Sequence, residues 1–391
     1  MSGKPIKVLQ LVGGGDAIGG VEKMLLNYYT YMDRNKVKFD FCFFRRSTLV
    51  ASHTEFAELL RDTHVYDLRL FERRGKFLGY LKAIPKVKKL IKKNGYDVVH
   101  INAGRPPLLL SGLIAASLAG SKVRIIHSHS TKGISGRSKI ADFAYRIGFA
   151  VVRPLLRWLS THLAACSTEA AMYMFGEHIK ELSKFFPIHN AIIVKPFLYS
   201  EIVRNEVRKE LDCKEDYLVF GHIGSFSTPK NHLFLIDVFA VIHKKNPHTN
   251  LWLAGNGSLK SMVEEKVKEL HLEDAVLFLN ERNDTNRLYQ GMDALIFPSL
   301  WEGLSVTLVE AQAASLPIFT SSNISPEHKL SKCLEFLDLD KGADYWANHI
   351  LNDLQSATPR IDMTEIITQS GYNIEREARS LQDFYVNSVV R

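Results

Sequence analysis

The stretch ALIFPSLWEGLSVTLVEAQAAS, Ala294 to Ser315, combines a short apolar run, a polar loop and a helical pattern. The run ALIFP predicts a buried strand and SLWEGL its loop, and Ser305 is the expected N-cap of the helix SVTLVEAQAA. Such units are typical of parallel sheets that are covered by helices. The stretch also carries two carboxylates, Glu302 in the loop and Glu310 in an otherwise apolar helix, and the second one needs an explanation.

The same alternation of short apolar runs and longer helical patterns extends along the whole chain of 391 residues. Ten strands are predicted, at Ile6 to Val12, Phe39 to Phe44, Val98 to Ile101, Arg124 to His127, Leu163 to Cys166, Leu218 to Ile223, Asn250 to Ala254, Val276 to Leu279, Ala294 to Phe297 and Ile318 to Thr320. The stretch SKFFPIHNAIIVKPFLYS has weak periodicity and predicts a linker near residues 190 to 200. The sequence therefore predicts an α/β protein with two Rossmann-like domains whose sheets face a shared cleft.

The composition is that of an ordinary globular protein, with 46% hydrophobic and 24% charged residues. The N-terminal run VLQLV is too short for a secretory signal, and Leu108 to Gly120 is shorter than the about 20 residues of a membrane span. The four cysteines, Cys42, Cys166, Cys213 and Cys333, lie far apart. This spacing argues against a disulfide framework or a zinc site and favours a reducing cytoplasm.

The net charge of +8 is concentrated in one segment. Its basic residues are Arg73, Arg74, Lys76, Lys82, Lys86, Lys88, Lys89, Lys92 and Lys93. One interpretation is a solvated helix face. The other is docking on anionic lipid, to which each basic residue near the surface contributes roughly 1 kcal/mol. Nucleic acid is disfavoured, because no aromatic stacking pattern or nucleic-acid motif accompanies the charge.

Glycines follow the first strand in the stretch GGGDAIGGVE. Gly19 and Gly20 precede a helix, where backbone amides can approach a phosphate or a sugar closely; a mere tight turn is the alternative. The dinucleotide fingerprint fails, because the sixth position from Gly13 is Ile18. An NAD-binding function is therefore disfavoured.

Polar residues also follow later strands. In FGHIGSFSTPKNH, Lys230 comes after a glycine turn, where it can neutralise a leaving diphosphate or be an incidental surface lysine. In RIIHSHST, His127 and His129 lie on one side of the pleat. A polar contact in the cleft is favoured over a metal pair, because no third metal ligand is signalled nearby.

The sequence places Glu310 close enough to Glu302 for both residues to contact the same ligand. At ~1.5 Å per residue, Glu310 lies about 7 to 8 Å along the helix from Ser305, whose end of the helix has free amides that suit a diphosphate. An unpaired buried carboxylate is costly, so Glu310 needs a partner. That partner is either a vicinal diol of a sugar or a nearby lysine or arginine.

The combined motifs resemble the family 4 glycosyltransferases of the GT-B fold, particularly bacterial exopolysaccharide and capsule enzymes. They are the pair Glu302 and Glu310, then GSFSTPKNH, LWLAGNGSL, FLNERNDTNRLYQGMDALIFPSLWEGL, EAQAASLP, GGVE, HSHST, ACSTEAAMYMFG and IHNAI. The resemblance covers nearly the whole chain. It implies metal-independent, retaining transfer of a hexose-type sugar from a nucleotide donor, with UDP-sugar expected, to a lipid-linked or polysaccharide acceptor in cell-surface glycan synthesis.

The resemblance also implies an organisation and a location. Residues 1–195 are expected to bind the acceptor and residues 196–375 the nucleotide sugar, and a C-terminal helix in residues 376–391 is expected to pack back on the N-terminal domain. The protein is expected in the cytoplasm, peripheral to the inner face of the cell membrane, where the segment from Arg73 to Lys93 contacts anionic lipid.

Single residues receive roles from the same resemblance. Glu302, Lys230 and His127 are expected to be catalytic, with Glu302 and His127 near the donor sugar and Lys230 on the diphosphate. The expected donor contacts are Glu310 on the ribose, the amides of Gly303, Leu304, Ser305 and Val306, the glycines Gly19 and Gly20, Ser225 beside the diphosphate, and Arg282 near the base.

Three residues depart from the family pattern. Ser225 stands where many relatives have arginine, and loss of a charge-assisted hydrogen bond of about 1.5 to 3 kcal/mol weakens catalysis roughly 10- to 100-fold unless His222 or another cation substitutes. Ser305 replaces a common proline. Ser315 replaces a glycine, which raises the question of whether that turn needs a positive φ.

Two rival functions stay open at this point. The first is a catalytically weak GT-B protein that binds sugar nucleotide or a partner enzyme. Ser225 favours this alternative, and an absence of turnover would identify it. A GT-B sugar-nucleotide epimerase would instead form product without an acceptor.

Overall fold

The structure is a computed structural model that describes residues 4–13, 20–45, 57–69, 77–104, 106–129, 139–356 and 358–390. The chain forms two compact units. The first consists of Met1–Ala191 and Ile374–Arg391, and the second of Ile192–Asn373. The chain passes from the first unit to the second inside the stretch for which the sequence predicts a linker.

Seven strands form the parallel sheet of the first unit. They are β1 (Ile6–Val12), β2 (Val37–Phe43), β3 (Val65–Asp67), β4 (Val98–Ala103), β5 (Val123–Ser128), β6 (His162–Ala165) and β7 (Phe185–Pro187). Their order in the sheet is β3-β2-β1-β4-β5-β6-β7. All residues of β4 are buried, as expected for a central strand of a parallel sheet that is covered on both faces.

The helices that follow these strands pack on the sheet through apolar stripes. They are α1 (Gly20–Thr30), α2 (Ala57–Leu60), α3 (Phe77–Asn94), α4 (Pro106–Ala119), α5 (Lys139–Leu159) and α6 (Thr168–Phe175). Helices α3 to α6 share one hydrophobic cluster with Leu9, Ile101 and Ile126 of the sheet. Helix α1 packs in a different cluster with Val8 and Phe39, whose side chains point to the opposite face.

The second unit repeats this architecture with six parallel strands. They are β8 (Leu218–Ile223), β9 (Thr249–Ala254), β10 (Val276–Asn280), β11 (Ala294–Phe297), β12 (Ile318–Ser321) and β13 (Leu334–Leu337), in the order β10-β9-β8-β11-β12-β13. Its helices are α7 (Glu201–Glu210), α8 (His232–Lys245), α9 (Lys260–Glu269), α10 (Thr285–Gly291), α11 (Val306–Ala313), α12 (Gly342–Gln355) and α13 (Thr364–Gln369).

The last helix, α14 (Ile374–Val390), returns to the first unit. Its buried residues Ile374, Ala378, Leu381 and Tyr385 belong to the same hydrophobic cluster as α1.

In each sheet the strand order reverses beside the first strand of the unit. The reversal lies between β1 and β4 in the first sheet and between β8 and β11 in the second. Ligands of open α/β sheets bind at the carboxyl ends of the strands at such points. The loops after β8 and β11 therefore carry the residues of greatest interest.

The predicted fold class of two Rossmann-like domains is confirmed, and all ten predicted strands are present with ends that differ by at most two residues. Three strands, β3, β7 and β13, were not predicted. Each lies at an edge of its sheet. Edge strands are short and only partly buried, so their apolar pattern is weak.

The turn after α11 does adopt a positive φ at Ser315, the position at which the family pattern has glycine. Ser315 has a φ of 51°, a left-handed conformation that glycine adopts without strain. The Ser315 hydroxyl accepts a hydrogen bond from the backbone amide of Ile361, with 3.1 Å between donor and acceptor. The serine therefore gains a contact that a glycine would lack.

Candidate functional site

Lys230 and Glu302 form an ion pair at the carboxyl ends of β8 and β11. Lys230 Nζ lies 2.7 Å from Glu302 Oε1, and the two side chains are only 15% and 11% exposed. Ser299 Oγ donates to the same carboxylate oxygen at 2.7 Å, and the ammonium lies 4.6 Å from the centre of the Phe297 ring. Lys230 and Glu302, whose roles were predicted separately, are thus in direct contact, and the Lys230 ammonium already has an anionic partner.

The turn after β8 is shaped by the turn after β9. Gly255 has a φ of 144°, and a Cβ atom on it would come within 2.0 Å of the carbonyl oxygen of Gly224. The Phe226 amide donates to the Asn256 carbonyl at 3.0 Å. Glycine is therefore required in the motif LWLAGNG because two backbone turns are packed against each other.

Ser225 is exposed in this turn, and its hydroxyl lies 3.0 Å from that of Ser227. The predicted substitute cation, His222, is completely buried, and its Nδ1 lies 2.9 Å from the carbonyl oxygen of Ile296. Burial holds the pKa of His222 well below its usual value, and neighbouring His232 lowers it further. The suggestion that His222 replaces the missing arginine charge is therefore wrong, because the imidazole is neutral at physiological pH.

Glu310 has a tyrosine as a partner, which the sequence analysis did not name. Tyr289 of α10 donates its hydroxyl to Glu310 Oε2 at 2.9 Å. Burial raises the pKa of Tyr289 well above 10, and the Glu310 charge adds to this effect. Glu310 is only partly buried, so the carboxylate has a fixed orientation and some remaining access to solvent.

The amino end of α11 begins at the predicted N-cap, Ser305, but its hydroxyl makes no capping hydrogen bond. Instead, the Ser305 backbone amide donates to Nε2 of buried His328 at 3.0 Å, while His328 Nδ1 donates to the Ser325 carbonyl at 2.8 Å. Gln312 donates to the His328 carbonyl at 2.9 Å. Of the four amides predicted to contact the donor, that of Ser305 is thus already bonded to protein.

Arg282 lies in a cluster of ion pairs rather than alone. Its guanidinium contacts Asp284 at 2.6 Å and Glu210 at 3.0 Å, and Arg287 contacts the same two carboxylates. The hydrogen bond from Arg282 lowers the pKa of Asp284. A ligand that binds Arg282 would have to share it with these carboxylates.

In the first unit, three histidines meet: His100 lies within β4, His127 lies near the carboxyl end of β5, and His129 follows that strand. The ring of His127 lies 3.9 Å from that of His129 and 5.5 Å from that of His100, measured between ring centres. Burial lowers the pKa of His100 and of His129 to about 3 and that of His127 well below its usual value. The cluster is therefore uncharged near neutral pH.

A chain of hydrogen bonds joins these histidines to α14. Tyr385 bonds to His100 Nδ1 at 2.7 Å and accepts a hydrogen bond from Gln10 at 3.3 Å. Asn102 donates to Gln10 at 2.8 Å, and its side-chain oxygen lies 3.3 Å from His129 Nε2. A polar stripe thus crosses a sheet face that is otherwise apolar.

Gly20 is the first residue of α1, and a Cβ atom there would meet no described atom within 4 Å. Gly19 lies outside the described residues, as do Arg73, Arg74 and Lys76 of the basic segment. Within the described ranges, no group of three or more histidine, cysteine, aspartate or glutamate side chains is arranged to hold a metal ion.

Sequence reasoning missed Tyr289, His328 and Gln312 in the second unit and Tyr385 in the first. Tyr289 precedes Glu310 by 21 residues and His328 follows Ser305 by 23. No local pattern links residues at such distances. The only available signal was a polar residue inside an apolar helix, which Gln312 shares with Glu310.

Two family models match the chain, one in each half. The model described as Glycosyltransferase Family 4 matches residues 18–194, and the model described as Glycosyl transferases group 1 matches residues 203–331.

Curated relatives extend over most of the chain. EpsF of Bacillus subtilis, to which glycosyltransferase activity is ascribed, is 29% identical over 98% of this chain and 97% of its own. The Escherichia coli UDP-Gal:alpha-D-GlcNAc-diphosphoundecaprenol alpha-1,3-galactosyltransferase is 26% identical over 79% of this chain and 80% of its own. The capsular polysaccharide biosynthesis glycosyltransferase CapH of Staphylococcus aureus is 25% identical over 84% of each chain.

Solved structures share the fold. Anabaena HepE in complex with UDP superposes with a TM-score of 0.68 at 19% identity and covers 98% of this chain and 97% of its own. A UDP-N-acetylglucosamine 2-epimerase superposes with a TM-score of 0.59 at 13% identity, with coverage of 98% and 97%. The fold is thus shared with an epimerase, and the fold alone does not separate sugar transfer from epimerisation.

Proposed function

Because the chain belongs to the glycosyltransferases of the GT-B fold, related to enzymes of bacterial exopolysaccharide and capsule synthesis, we propose that it transfers a hexose-type sugar from a UDP-sugar to a lipid-linked or polysaccharide acceptor. The relative from Escherichia coli is named for a UDP-sugar donor and a diphosphoundecaprenol-linked acceptor. HepE was crystallised with UDP.

The observation that carries the proposal is the arrangement of charge beyond β8 and β11. The Lys230–Glu302 pair and the start of α11 provide a cation and backbone amides at the switch point of the sheet. A diphosphate leaving group develops negative charge in the transition state, and fixed cations and amides stabilise it. Such a site suits nucleotide diphosphate departure better than hydride transfer.

The pairing of Lys230 with Glu302 suggests how the two residues act on the donor. We expect the diphosphate to draw the ammonium toward itself, while Glu302 exchanges that partner for a hydroxyl of the donor sugar. Glu310, oriented by Tyr289, is then expected to accept hydrogen bonds from the ribose. The amides of Gly303, Leu304 and Val306 are expected to complete the contacts.

The remaining roles are proposed for the first unit. The unit is expected to bind the acceptor, with His127 near the sugar and Gly19 and Gly20 near the diphosphate. In a retaining transfer, the bond from the anomeric carbon to the diphosphate oxygen breaks and the acceptor oxygen bonds to that carbon on the same face. The leaving phosphate takes the acceptor proton. No metal is expected in this scheme.

The test is calorimetric titration with UDP, GDP, ADP and NAD in the presence of EDTA, on the wild type and on Glu310→Ala. We expect selective UDP binding that the variant loses. Binding of NAD, or UDP affinity that is unchanged in the variant, would contradict the proposed donor site.

Turnover with UDP-sugars and lipid acceptors separates the transferase from its rivals. A product formed from UDP-sugar without any acceptor would identify an epimerase. UDP binding without turnover would identify a catalytically weak protein, for which Ser225 and the neutral His222 provide a reason.

A further inference from the structure

A large cavity lies in the second unit, away from the proposed donor site. Its volume is about 1160 Å³, and ligand pockets commonly measure roughly 300 to 1,000 Å³. Pro317 and Cys333, which line it, directly precede β12 and β13. All strands of this sheet are parallel, so the amino ends of β12 and β13 lie opposite the carboxyl ends that precede the loops of Lys230 and Glu302. The cavity, termed here the amino-end cavity, is therefore a separate site.

The lining of the amino-end cavity combines apolar side chains with two cations. Leu330, Ile361 and Ile366 contribute apolar surface, and Ile361 is 58% exposed. Lys329 and Lys332 line the same cavity and are exposed to solvent. In the described part of the chain, neither lysine has a carboxylate within ion-pair distance. The two ammonium groups are therefore available to an anion.

The charge and the shape of the lining side chains indicate the class of ligand. Among the described residues that line the cavity, Asp353 is the only carboxylate, so the cations outnumber the anions. None of these lining residues is aromatic, whereas a nucleobase is typically held by stacking on an aromatic ring. A flexible alkyl chain with an acidic head group therefore matches this lining better than a nucleotide does.

Gln312 and His328 connect the wall of the cavity to the start of α11. The backbone amides of Leu330 and Ser331 donate to Gln312 Oε1 at 2.9 and 3.0 Å. Gln312 Nε2 donates to the His328 carbonyl at 2.9 Å, and His328 Nε2 accepts from the Ser305 amide at 3.0 Å. Gln312, His328 and Ser305 are all buried. A continuous set of hydrogen bonds thus joins the cavity to the end of α11 for which a diphosphate contact is proposed.

We propose that the amino-end cavity is a regulatory site for a single-chain anionic amphiphile, whose acidic head group contacts Lys329 and Lys332 and whose alkyl chain lies on the apolar part of the lining. An acid gains from two unpaired cations. Each CH₂ group of the chain gains from leaving water. The inference rests on the proposed function in one respect, because the regulated step is the binding of UDP.

The expected consequence of occupancy is weaker binding of UDP. An occupant of the cavity holds the segment of Leu330 and Ser331 in place, and this segment fixes Gln312 and, through it, His328. The Ser305 amide then stays bonded to His328 and cannot turn to a diphosphate. Such coupling between two ligand sites is reciprocal, so UDP should weaken the binding of the amphiphile by the same factor.

Alkylation of Cys333 reports occupancy directly. Its thiol is partly exposed in the cavity, whereas Cys42 and Cys166 are buried and Cys213 lies beside Asn250. Decyl phosphate, used below its critical micelle concentration, should suppress alkylation of Cys333 by iodoacetamide and leave that of Cys213 unchanged. Inorganic phosphate lacks the chain and decyltrimethylammonium lacks the negative charge, so neither should protect Cys333. Protection by all three compounds, or by none, would overturn the proposal.

A bilayer is a second possible source of acidic head groups and alkyl chains. The basic segment from Arg73 to Lys93 belongs to the first unit, whereas the amino-end cavity belongs to the second. Within the described ranges, no helix is long and apolar enough to span a membrane. Vesicles of phosphatidylcholine with phosphatidylglycerol should not protect Cys333. Protection by vesicles as strong as that by decyl phosphate would refute a site for single molecules.

A pair of lysine variants tests the head group. Lys329→Ala with Lys332→Ala should weaken the calorimetric affinity for decyl phosphate about five- to tenfold, a modest loss because exposed ion pairs are weak. The matched control is Lys209→Ala with Lys268→Ala, exposed lysines of the same unit that do not line the cavity, and should leave the affinity unchanged. Equal losses in both variants would show non-specific attraction and overturn the site.

A single apolar residue tests the chain. Ile361→Ser should weaken the affinity for decyl phosphate about tenfold, because the alkyl chain loses a partner that also leaves water. Ile202→Ser is the control, since Ile202 of α7 is 73% exposed and does not line the cavity. The same affinity in Ile361→Ser and in the wild type would contradict the proposed position of the chain.

Titration with UDP, with and without saturating decyl phosphate, tests the regulation. The wild type should bind UDP at least about fivefold more weakly when the cavity is occupied. His328→Ala releases the Ser305 amide and should lose most of this effect while decyl phosphate still protects Cys333. Protection of Cys333 with unchanged UDP affinity in the wild type would refute a regulatory site. The wild-type titrations decide this point even if His328→Ala fails to fold.

The remaining outcomes are also decisive. Light scattering that shows a wild-type dimer, dissociated by Ile361→Ser and with Cys333 protected only in the dimer, would assign the cavity to a second copy of the chain and refute the amphiphile. The alkylation assay contains no UDP. Protection of Cys333 by decyl phosphate in a protein that binds no UDP would therefore refute the proposed function and leave the amphiphile site intact.

Discussion

Uncharged histidines lie on the central strands of the first unit, whereas an ion pair lies beyond the central strands of the second. Both sheets nevertheless have the same order of strands around their reversal point. His127 and His129 are kept neutral by burial. In the second unit, Lys230 and Glu302 form an ion pair with 2.7 Å between Nζ and Oε1. The same topology thus provides a neutral cluster in one unit and a charged one in the other.

The difference matches the chemistry proposed for each unit. A paired cation can be shared with a diphosphate, because an incoming anion replaces the lost interaction. A neutral polar stripe suits hydroxyl groups of a sugar or an acceptor, which need hydrogen bonds and not charge. We therefore expect charge-removing variants to act mainly on the second unit and hydrogen-bond variants mainly on the first.

The largest expected effect is that of Lys230→Ala on turnover. Removal of one group that stabilises transition-state charge typically costs about 2.7 to 4 kcal/mol, or a 10²- to 10³-fold loss in kcat. Steady-state kinetics with UDP-sugar would measure it. A loss smaller than tenfold would contradict a catalytic role for this lysine.

The same variant should also lose stability, because Glu302 becomes a buried carboxylate without its cation. Breaking such a pair costs about 3 to 5 kcal/mol. The control is the double variant Lys230→Ala, Glu302→Ala, which removes both charges and should be more stable in urea than Lys230→Ala alone. Equal or lower stability of the double variant would show that the pair does not depend on mutual neutralisation.

Glu310→Ala should weaken UDP binding by about 1.5 to 3 kcal/mol, or roughly 10- to 100-fold, the value of a hydrogen bond to a charged group. Tyr289→Phe removes only the hydroxyl that orients Glu310 and should have a smaller effect of the same sign. Calorimetric titration of both variants with UDP would show which of them loses more affinity. If Tyr289→Phe weakened UDP binding more than Glu310→Ala, the carboxylate would not be the ribose contact.

Acidification provides a comparison for the first unit. The folded pKa values of His100 and His129 are about 3, because burial lowers them from the usual 6.5. Between about pH 3 and pH 6.5, these two histidines therefore bind more protons in the unfolded chain than in the folded one. Stability should therefore fall as the pH decreases below 6.5, by at most about 1.4 kcal/mol per pH unit for each histidine.

Histidine NMR titration checks this prediction site by site. A His129 resonance that titrates near neutrality would contradict the neutral cluster. His222 of the second unit should behave like His129, since burial lowers its pKa too.

Tyr385→Phe tests the hydrogen-bond chain itself. The change removes the hydroxyl that joins Gln10 and His100 and leaves the buried His100 Nδ1 without it. A buried polar group without a partner costs about 1 to 3 kcal/mol. Urea unfolding should show this loss, and Tyr31→Phe, a partly buried tyrosine of the same unit, is the control.

The sequence was sufficient to predict the central strands of both sheets and to single out Lys230 and Glu302, which the structure brings into contact. Each central strand is a short apolar run, because burial on both faces leaves no room for polar residues, and the ten predicted strands follow from that requirement. Glu310 and Lys230 were predicted to be site residues because a carboxylate in an apolar helix and a lysine after a glycine turn are local anomalies, and their roles stay predictions.

Their partners could not be predicted, because they come from distant segments. Tyr289 and His328 reach the site through the packing of α10 and of the loop before β13 against α11. Neither residue is unusual in its own sequence neighbourhood. The hydrogen bond from the Ser305 amide to His328 depends on that packing. The sequence therefore predicted correctly where α11 begins, but it did not predict that His328 accepts the hydrogen bond of the Ser305 amide.

The smallest effects are expected at two helix starts, one in each unit. Ser167 of the first unit caps α6 with its side chain, which accepts from the Ala170 amide at 3.1 Å, so Ser167→Ala should cost about 1 kcal/mol. Ser305 occupies the equivalent position before α11, but its hydroxyl makes no capping bond. Ser305→Ala should therefore lower the free energy of unfolding by less than Ser167→Ala does.

His328→Ala completes this comparison, because it removes the imidazole that the Ser305 amide actually uses. It should cost more than Ser305→Ala, about 1 to 3 kcal/mol, since a buried amide loses its acceptor. Urea unfolding of the three variants gives the order directly. If Ser305→Ala were as costly as Ser167→Ala, the serine hydroxyl and not His328 would cap α11, and the Ser305 amide would again be available to the donor.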